Sequence, residues 1–154
     1  MGSAVTVRVS DRELRLSNLE KELYPEVGLT KAGVLDYYRQ VAPVLLPHLA
    51  DRVVTFYRCP DGVGKPGFFD KDAARYAPSW VRTVAVSTSD PPEKDPPGYA
   101  VLRGLPDLIW AANLAALELH VPQWTVGPRG GRRNPNLLVF DLDPGAPATI
   151  VECC

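Results

Sequence analysis

The amino-acid sequence predicts one domain of the α/β or α+β class, built from mixed sheets and helices. Two amphipathic stretches with helical spacing alternate with short runs of alternating apolar residues, and no repeat or low-complexity tract separates them. The chain has 154 residues, 45% of them hydrophobic and 23% charged, which is enough for one hydrophobic core. We therefore expect a single unit over residues 1–154.

The first elements are a hairpin and a long helix. Residues 4–18 alternate valines and leucines with polar residues, and Ser10 and Asp11 mark the turn between two strands. Residues 29–49 have helical spacing with Thr30 as the N-cap, although Pro43 and Pro47 are expected to kink the helix or divide it into two.

The middle of the chain alternates strands and loops. Residues 52–58 and 81–89 read as strands, and the glycine- and proline-rich stretch 59–73 reads as a loop that leads into a short helix near Ala73. Residues 90–98 form a proline-dense surface connection, and residues 105–120 are predicted to be a second helix with Pro106 in its first turn.

Bulk properties exclude several classes of protein. The formal net charge of −1 gives no global indication of nucleic-acid binding, so any such function must depend on local patches. The chain contains neither a signal-peptide pattern nor an apolar run of membrane-spanning length. Its three cysteines, two of them adjacent at Cys153 and Cys154, fit neither a disulfide framework nor a zinc site, and we expect a cytoplasmic protein without a membrane partner.

The stretch LLVFDLDPG, Leu137 to Gly145, is expected to be a buried strand that ends in two aspartates. Alternation along a strand puts Asp141 and Asp143 on one face, roughly 6.5 Å apart along the chain. Two carboxylates on one face repel each other, so a cation between them is favoured.

Three interpretations of this pair remain open from the residues alone. Asp143-Pro-Gly is typical turn chemistry, and Asp-x-Asp-x-Gly overlaps part of a calcium loop whose twelfth position would be Glu152. The third interpretation is a catalytic Mg²⁺ or Mn²⁺ site, because hard cations prefer oxygen ligands. Asp-x-Asp after an apolar strand occurs in nucleotidyl transferases and in aspartyl-phosphate phosphatases, and the pair does not distinguish them.

Five segments in order, NLEKELYP, GLTKAGVLDYY, PGFFDKDA, LELHVPQW and LVFDLDPG, resemble the polymerase domain of bacterial LigD-type DNA ligases, within the archaeo-eukaryotic primase superfamily. The resemblance runs from about Leu14 to Cys154 and implies the N-terminal part of a primase-like fold. It implies that Asp141 and Asp143 bind two Mn²⁺ or Mg²⁺ ions, which hold the phosphates of an NTP or dNTP. The third carboxylate and the triphosphate-binding turn of the family lie further along, so we expect a C-terminally truncated domain that is inactive alone.

The resemblance assigns Asn18, Lys21 and Lys31 to a pocket for the 5′-phosphate at a DNA gap or break. Two ammonium groups and an amide can converge on a phosphate dianion, and Lys31 lies in the first turn of a helix. Without the resemblance, solvated lysines around a helix start are the favoured interpretation.

The remaining family assignments concern aromatic, histidine and arginine residues. Phe68 and Phe69 inherit stacking at the DNA end, although core packing is an alternative for one of them. His120 is expected near the active centre with catalytic involvement of undefined type, and Arg58 near the nucleotide phosphates. Basic residues in the surrounding loops suit backbone phosphates or solvent equally well: Lys65, Lys71, Arg129, Arg132 and Arg133.

The leading hypothesis is therefore a DNA end-joining primase-polymerase domain of a bacterial cytosol. Its implied partners are DNA with gaps or double-strand breaks, nucleotides, Ku, and ligase and nuclease modules. The alternatives are a non-catalytic module that binds DNA ends, and an aspartyl-phosphate phosphatase with Asp141 as nucleophile and Asp143 as acid.

Overall fold

The computed structural model describes residues 4–89, 91–149 and 151, and it has the mixed α/β architecture that the sequence predicts. Asp90, Ile150 and residues 152–154 lie outside this description, so the expectations for Glu152 and the terminal cysteine pair stay predictions. Within the described ranges, no helix is both long enough and apolar enough to span a bilayer.

Two helices and eleven strands make up the described chain. The helices are α1 (Lys31–Leu49) and α2 (Leu105–Asn113). The strands are β1 (Ala4–Val9), β2 (Arg12–Ser17), β3 (Glu22–Tyr24), β4 (Leu29–Thr30), β5 (Thr55–Arg58), β6 (Phe68–Asp70), β7 (Arg82–Ala85), β8 (Gly98–Val101), β9 (Ala116–His120), β10 (Trp124–Val126) and β11 (Arg132–Pro135). Short 3₁₀ turns at Pro25–Val27 and Ala73–Arg75 complete the order.

The strands pair into several small antiparallel sheets rather than one large sheet. The largest has three strands in the order β6-β5-β9, and the pairs β1-β2, β3-β4, β7-β8 and β10-β11 surround it. A bridge between Val54 and Ala100 joins the β5 segment to β8. The hairpin predicted at Ser10 and Asp11 is confirmed, with Val9 opposite Arg12.

The core lies between α1, α2 and the inner face of the three-stranded sheet. Phe56 of β5 is 0% exposed and meets Trp110 of α2 edge-on, with ring centroids 5.9 Å apart. Tyr38 of α1 donates a hydrogen bond from its hydroxyl to the Ala116 carbonyl at 3.0 Å. Because the helices are anchored to this sheet, its opposite face is left for solvent.

Helix α1 is one continuous helix, so Pro43 and Pro47 do not divide it into two. Of the two predicted outcomes, division is wrong and a kink stays a prediction. Each proline removes one backbone donor, whereas the inward face of the helix carries buried Val34, Tyr38 and Leu49. Burial of this face stabilises the helix across both interruptions.

Thr30 caps α1 as predicted, because its Oγ1 accepts a hydrogen bond from the Gly33 N–H at 3.4 Å. We expect Thr30→Ala to lower the free energy of unfolding by about 1 kcal/mol, since an amide at the helix start loses its partner. Urea denaturation of both proteins measures this, with Thr30→Ser as the variant that keeps the hydroxyl. Equal loss in Thr30→Ser and Thr30→Ala would contradict a capping role.

The second predicted helix, residues 105–120, extends beyond the end of the helix in the structure. Helix α2 ends at Asn113, Ala115 takes a left-handed conformation with φ of 56°, and Ala116–His120 form strand β9. The correction has a visible cause: Leu117 and Leu119 alternate with Glu118 and His120, which is strand periodicity. His120 therefore lies at the end of a strand and not at the end of a helix.

Residues 137–145 are not the buried strand that their sequence predicts. They run without strand pairing, and Phe140 is 77% exposed. Apolar alternation produces a buried strand only where neighbouring strands satisfy its backbone and a second layer covers it. Within the described chain no strand pairs with this segment.

Candidate nucleic-acid interface

Asn18, Lys21 and Lys31 come together in the structure as a lysine pocket, the name used below for these three residues. Asn18 has a left-handed φ of 55°, and the turn it makes lets its carbonyl accept the Lys21 N–H at 3.0 Å. The Lys21 carbonyl in turn accepts the Lys31 N–H at 2.8 Å. The start of α1 is therefore tied to the turn after β2, and residues 13 positions apart become neighbours.

Lys31 is buried, with only 5% of its surface exposed, and its Nζ donates a hydrogen bond to the Ser17 carbonyl at 2.7 Å. Burial lowers the pKa of Lys31, and the positive charges of Lys21 and Arg58 lower it further. An ammonium group in this position is electrostatically unfavourable on its own. An anion placed beside it would relieve that repulsion.

Lys21 holds an exposed carboxylate that an anion could replace. Its Nζ contacts Asp61 Oδ1 at 2.6 Å, and this hydrogen bond lowers the pKa of Asp61. The side chains of Lys21 and Asp61 are 39% and 71% exposed, and pairs of this kind contribute little to stability. Exchange of Asp61 for a phosphate dianion therefore costs the fold little.

The solvent-facing side of the three-stranded sheet forms an aromatic platform. In register across it lie Phe69, Tyr57 and Glu118, with His120 two residues further along β9. The Phe69 ring is 4.9 Å from that of Tyr57 and 5.4 Å from that of His120, between ring centroids, and Phe69 is 59% exposed. Rings held by neighbours and open to solvent are suited to stacking against a base.

The platform differs from the sequence prediction in the element that carries Phe68 and Phe69, and it contains two site residues that were not predicted. Phe68 and Phe69 were expected in a loop, yet they lie on strand β6, because residues 68–70 pair with β5. Glu118 and Tyr57 were not predicted as site residues. Glu118 Oε2 lies 2.7 Å from His120 Nε2, and the alternation within β9 is the sequence signal that places both on one face.

Arg58 is held by internal partners on the other face of the sheet. Its Nη1 contacts Asp70 Oδ2 at 2.8 Å, and its Nε donates to the Leu114 carbonyl at 3.0 Å. The guanidinium also lies over the rings of Phe68, at 5.3 Å, and Tyr76, at 5.6 Å. Nucleotide contact by Arg58 stays a prediction, and in this arrangement the guanidinium is already neutralised.

A cleft of about 760 Å³ opens beside the platform. Phe68, Phe69 and Tyr76 form its aromatic side, and Lys71 and Arg75 lie on its rim. Tyr76 donates its hydroxyl hydrogen to Asp70 at 2.7 Å, and burial together with this bond raises the pKa of Tyr76. Asp70, Asp72 and Asp95 also line the cleft, and Arg75 is paired with Asp72 at 2.6 Å. The cleft therefore combines stacking surfaces with charges of both signs.

Asp141 and Asp143 lie in the exposed segment 137–145. Their two carboxylates have the hard oxygen donors that suit Mg²⁺ or Mn²⁺. Among the described residues, however, no group of three or more His, Cys, Asp or Glu side chains is gathered as a metal site. The residue types fit the metal, and the assignment of the two aspartates stays a prediction.

Comparisons with known proteins match most of this chain. The model of the LigD primase-polymerase domain matches residues 30–154. A multifunctional non-homologous end joining protein LigD of Mycolicibacterium smegmatis is 41% identical over 142 residues, which are 92% of this chain and 18% of that protein. The corresponding LigD of Mycobacterium tuberculosis strain H37Rv is 42% identical over 150 residues, 94% of this chain and 19% of that protein.

A solved structure gives the same relationship in three dimensions. The polymerase domain of Mycobacterium tuberculosis ligase D, in complex with DNA, matches with a TM-score of 0.69 at 40% identity. The match covers 80% of this chain and 42% of that chain, and the chain spans about a fifth of the length of the curated relatives named above. The family model spans Lys31 and the three strands of the platform, and it begins after Asn18 and Lys21. The chain belongs to the LigD primase-polymerase domain family.

Proposed function

We propose that this chain forms the DNA-end-binding part of a polymerase domain that adds NTPs or dNTPs at gaps and double-strand breaks. Buried Lys31 beside Lys21 is the observation that carries the proposal. A fold tolerates a poorly solvated ammonium group where function requires it, and a terminal phosphate supplies the missing negative charge.

The platform supports the same function. A 5′-phosphate in the lysine pocket brings the adjoining nucleotides to the protein, and Phe69 with Tyr57 offers ring faces that bind any base. Recognition of this kind is independent of sequence, as repair of random breaks requires. Family membership favours this reading over the aspartyl-phosphate phosphatase.

The catalytic part of the proposal concerns Asp141 and Asp143. We assign them as ligands of Mn²⁺ or Mg²⁺ within a larger primase-polymerase domain, of which residues 1–154 form one part. When bound, such ions neutralise nucleotide phosphates and activate a primer hydroxyl. His120 is proposed to act close to this centre, held by Glu118. Ku and the ligase and nuclease modules are the proposed partners, in a bacterial cytosol.

The decisive experiment measures the dissociation constants of the 154-residue chain for gapped duplexes that differ only in a 5′-phosphate or 5′-hydroxyl. We expect tighter binding of the phosphorylated gap. Equal affinity for the two duplexes would refute the phosphate pocket.

A second candidate function, a non-catalytic DNA-end-binding module, is favoured by one observation. The lysine pocket and the platform are formed in this chain, whereas the two aspartates gather no further acidic group within the described segments. Nucleotide incorporation by the isolated chain with Mn²⁺ tests the second candidate. We expect none, and steady incorporation would exclude the binding-only module.

A further inference from the structure

The hairpin formed by β10 and β11, called the arginine hairpin below, carries a local excess of positive charge. Arg129, Arg132 and Arg133 lie on it, all exposed, and residues 119–140 contain no aspartate or glutamate. The ion pairs found among the described residues include none to these three arginines. Their charge is therefore available to an external anion, on a chain whose formal net charge is only −1.

The arginine hairpin is held in shape rather than left as an open loop. Gly127 donates its N–H to the Gly131 carbonyl at 2.8 Å, and Gly130 donates to the Gly127 carbonyl at 2.9 Å. Gly130 takes a φ of +85°, which other residues rarely adopt. The Arg132 guanidinium lies 4.7 Å above the buried Trp124 ring, so one cation has a fixed position.

Arg82 anchors this hairpin to strand β7. Its Nη2 donates to the Gly127 carbonyl at 2.6 Å, while its Nη1 lies 3.7 Å from Asp51. A Cβ at Gly130 would approach Val84 to 3.2 Å, which shows how closely the turn rests on the strand. Arg82 thus has internal partners, whereas the three hairpin arginines have no ion pair among the described residues.

The arginine hairpin and the aromatic platform border adjoining clefts. A cleft of about 580 Å³ runs between β7 and the hairpin, and Ala85 lines both this cleft and the 760 Å³ cleft beside Phe69. Exposed Thr83 and Ala85 share one face of β7 and lie along the connection. The two clefts therefore adjoin at Ala85.

We propose that the arginine hairpin is a second DNA-binding surface, which holds backbone phosphates of the strand that stacks on the platform. One guanidinium group can bind two oxygens of the same phosphate, and this contact does not depend on the base. Three arginines on one hairpin match a regularly charged backbone better than a single small anion. The proposal rests on the proposed function in taking DNA as the ligand and the platform as its stacking surface, and it does not use the 5′-phosphate pocket.

The test is the salt dependence of DNA binding by the full chain. We expect the triple variant Arg129→Ala, Arg132→Ala, Arg133→Ala to bind gapped duplex more weakly, with the slope of log affinity against log salt smaller by about 2 to 3, since each phosphate contact to duplex contributes about 0.9. The corresponding triple lysine variant should keep most of the slope, because it keeps the charge. An unchanged slope in the alanine variant would overturn the proposal.

A charge-matched control removes exposed arginines from another surface. Arg8→Ala, Arg15→Ala, Arg39→Ala changes the net charge by the same amount, on the β1-β2 hairpin and on α1. We expect its slope to stay near that of the wild type, and an equal fall in both triple variants would reduce the effect to net charge and overturn the proposal. The proposed function is tested by a different measurement: it would be refuted if the wild-type chain showed no preference for a 5′-phosphate.

Discussion

Replacing Lys31 by methionine is expected to remove the preference for 5′-phosphorylated DNA while leaving the protein folded. A charge-assisted hydrogen bond contributes about 1.5 to 3 kcal/mol, so the affinity for a phosphorylated gap should fall about 10- to 150-fold. The affinity for the 5′-hydroxyl gap should change little, because the lost contact involves only the terminal phosphate. Fluorescence anisotropy with the two duplexes measures both quantities.

The fold is expected to survive this change because methionine fills a similar volume. Lys31 loses its bond to the Ser17 carbonyl, but a poorly solvated charge near Lys21 and Arg58 is removed at the same time. Lys94→Met, on the exposed connection between β7 and β8, is the matched control and should keep the phosphate preference. If Lys31→Met retained the wild-type preference, the 5′-phosphate would have to bind outside the lysine pocket.

The pH dependence of stability gives a separate check on Lys31. Its pKa in the folded protein lies below the ordinary value of 10.5, so the charged form is less favourable in the folded state than in the unfolded state. The resulting loss of stability is fully present below the folded pKa and disappears as the pH rises through that pKa toward 10.5. We therefore expect the wild type to gain stability relative to Lys31→Met over that window in urea denaturation, and a relative loss would contradict the burial of the ammonium group.

The second large effect is expected at the aromatic platform. Phe69→Ala should weaken binding of gapped DNA by about 5- to 150-fold, because stacking on an aromatic side chain contributes about 1 to 3 kcal/mol for each base. The preference for a 5′-phosphate should persist, since the lysine pocket is formed by other residues. Titration with phosphorylated and unphosphorylated gaps distinguishes this loss from that of Lys31→Met.

Tyr37 is the control for Phe69, because the two aromatic side chains are almost equally exposed. Tyr37 of α1 is 58% exposed, against 59% for Phe69, but it borders Leu117 and Leu119, which alternate along β9 with the platform residues. Tyr37→Ala should bind DNA like the wild type, and both variants should unfold within about 1 kcal/mol of it, as surface substitutions do. A similar loss of affinity in Tyr37→Ala and Phe69→Ala would remove the case for a stacking platform.

The sequence by itself determined the elements whose signals are local. The turn at Ser10 and Asp11, the cap at Thr30 and the apolar face of α1 follow from residues within a few positions of one another, and the structure contains all three. The five motif segments likewise identified the family, because their order and residue types do not depend on how the chain packs.

Only the tertiary structure decided what depends on pairing between distant segments. Residues 105–120 have helical spacing, but their last five residues form strand β9 because β5 provides backbone hydrogen-bond partners. In this strand His120 lies beside Phe69. Residues 137–145 have a buried-strand pattern but lack a pairing strand among the described residues, so Asp141 and Asp143 remain exposed. The neutralisation of Arg58 by Asp70 and the burial of Lys31 arise in the same way, since charge and solvation are set by neighbours that the sequence order does not reveal.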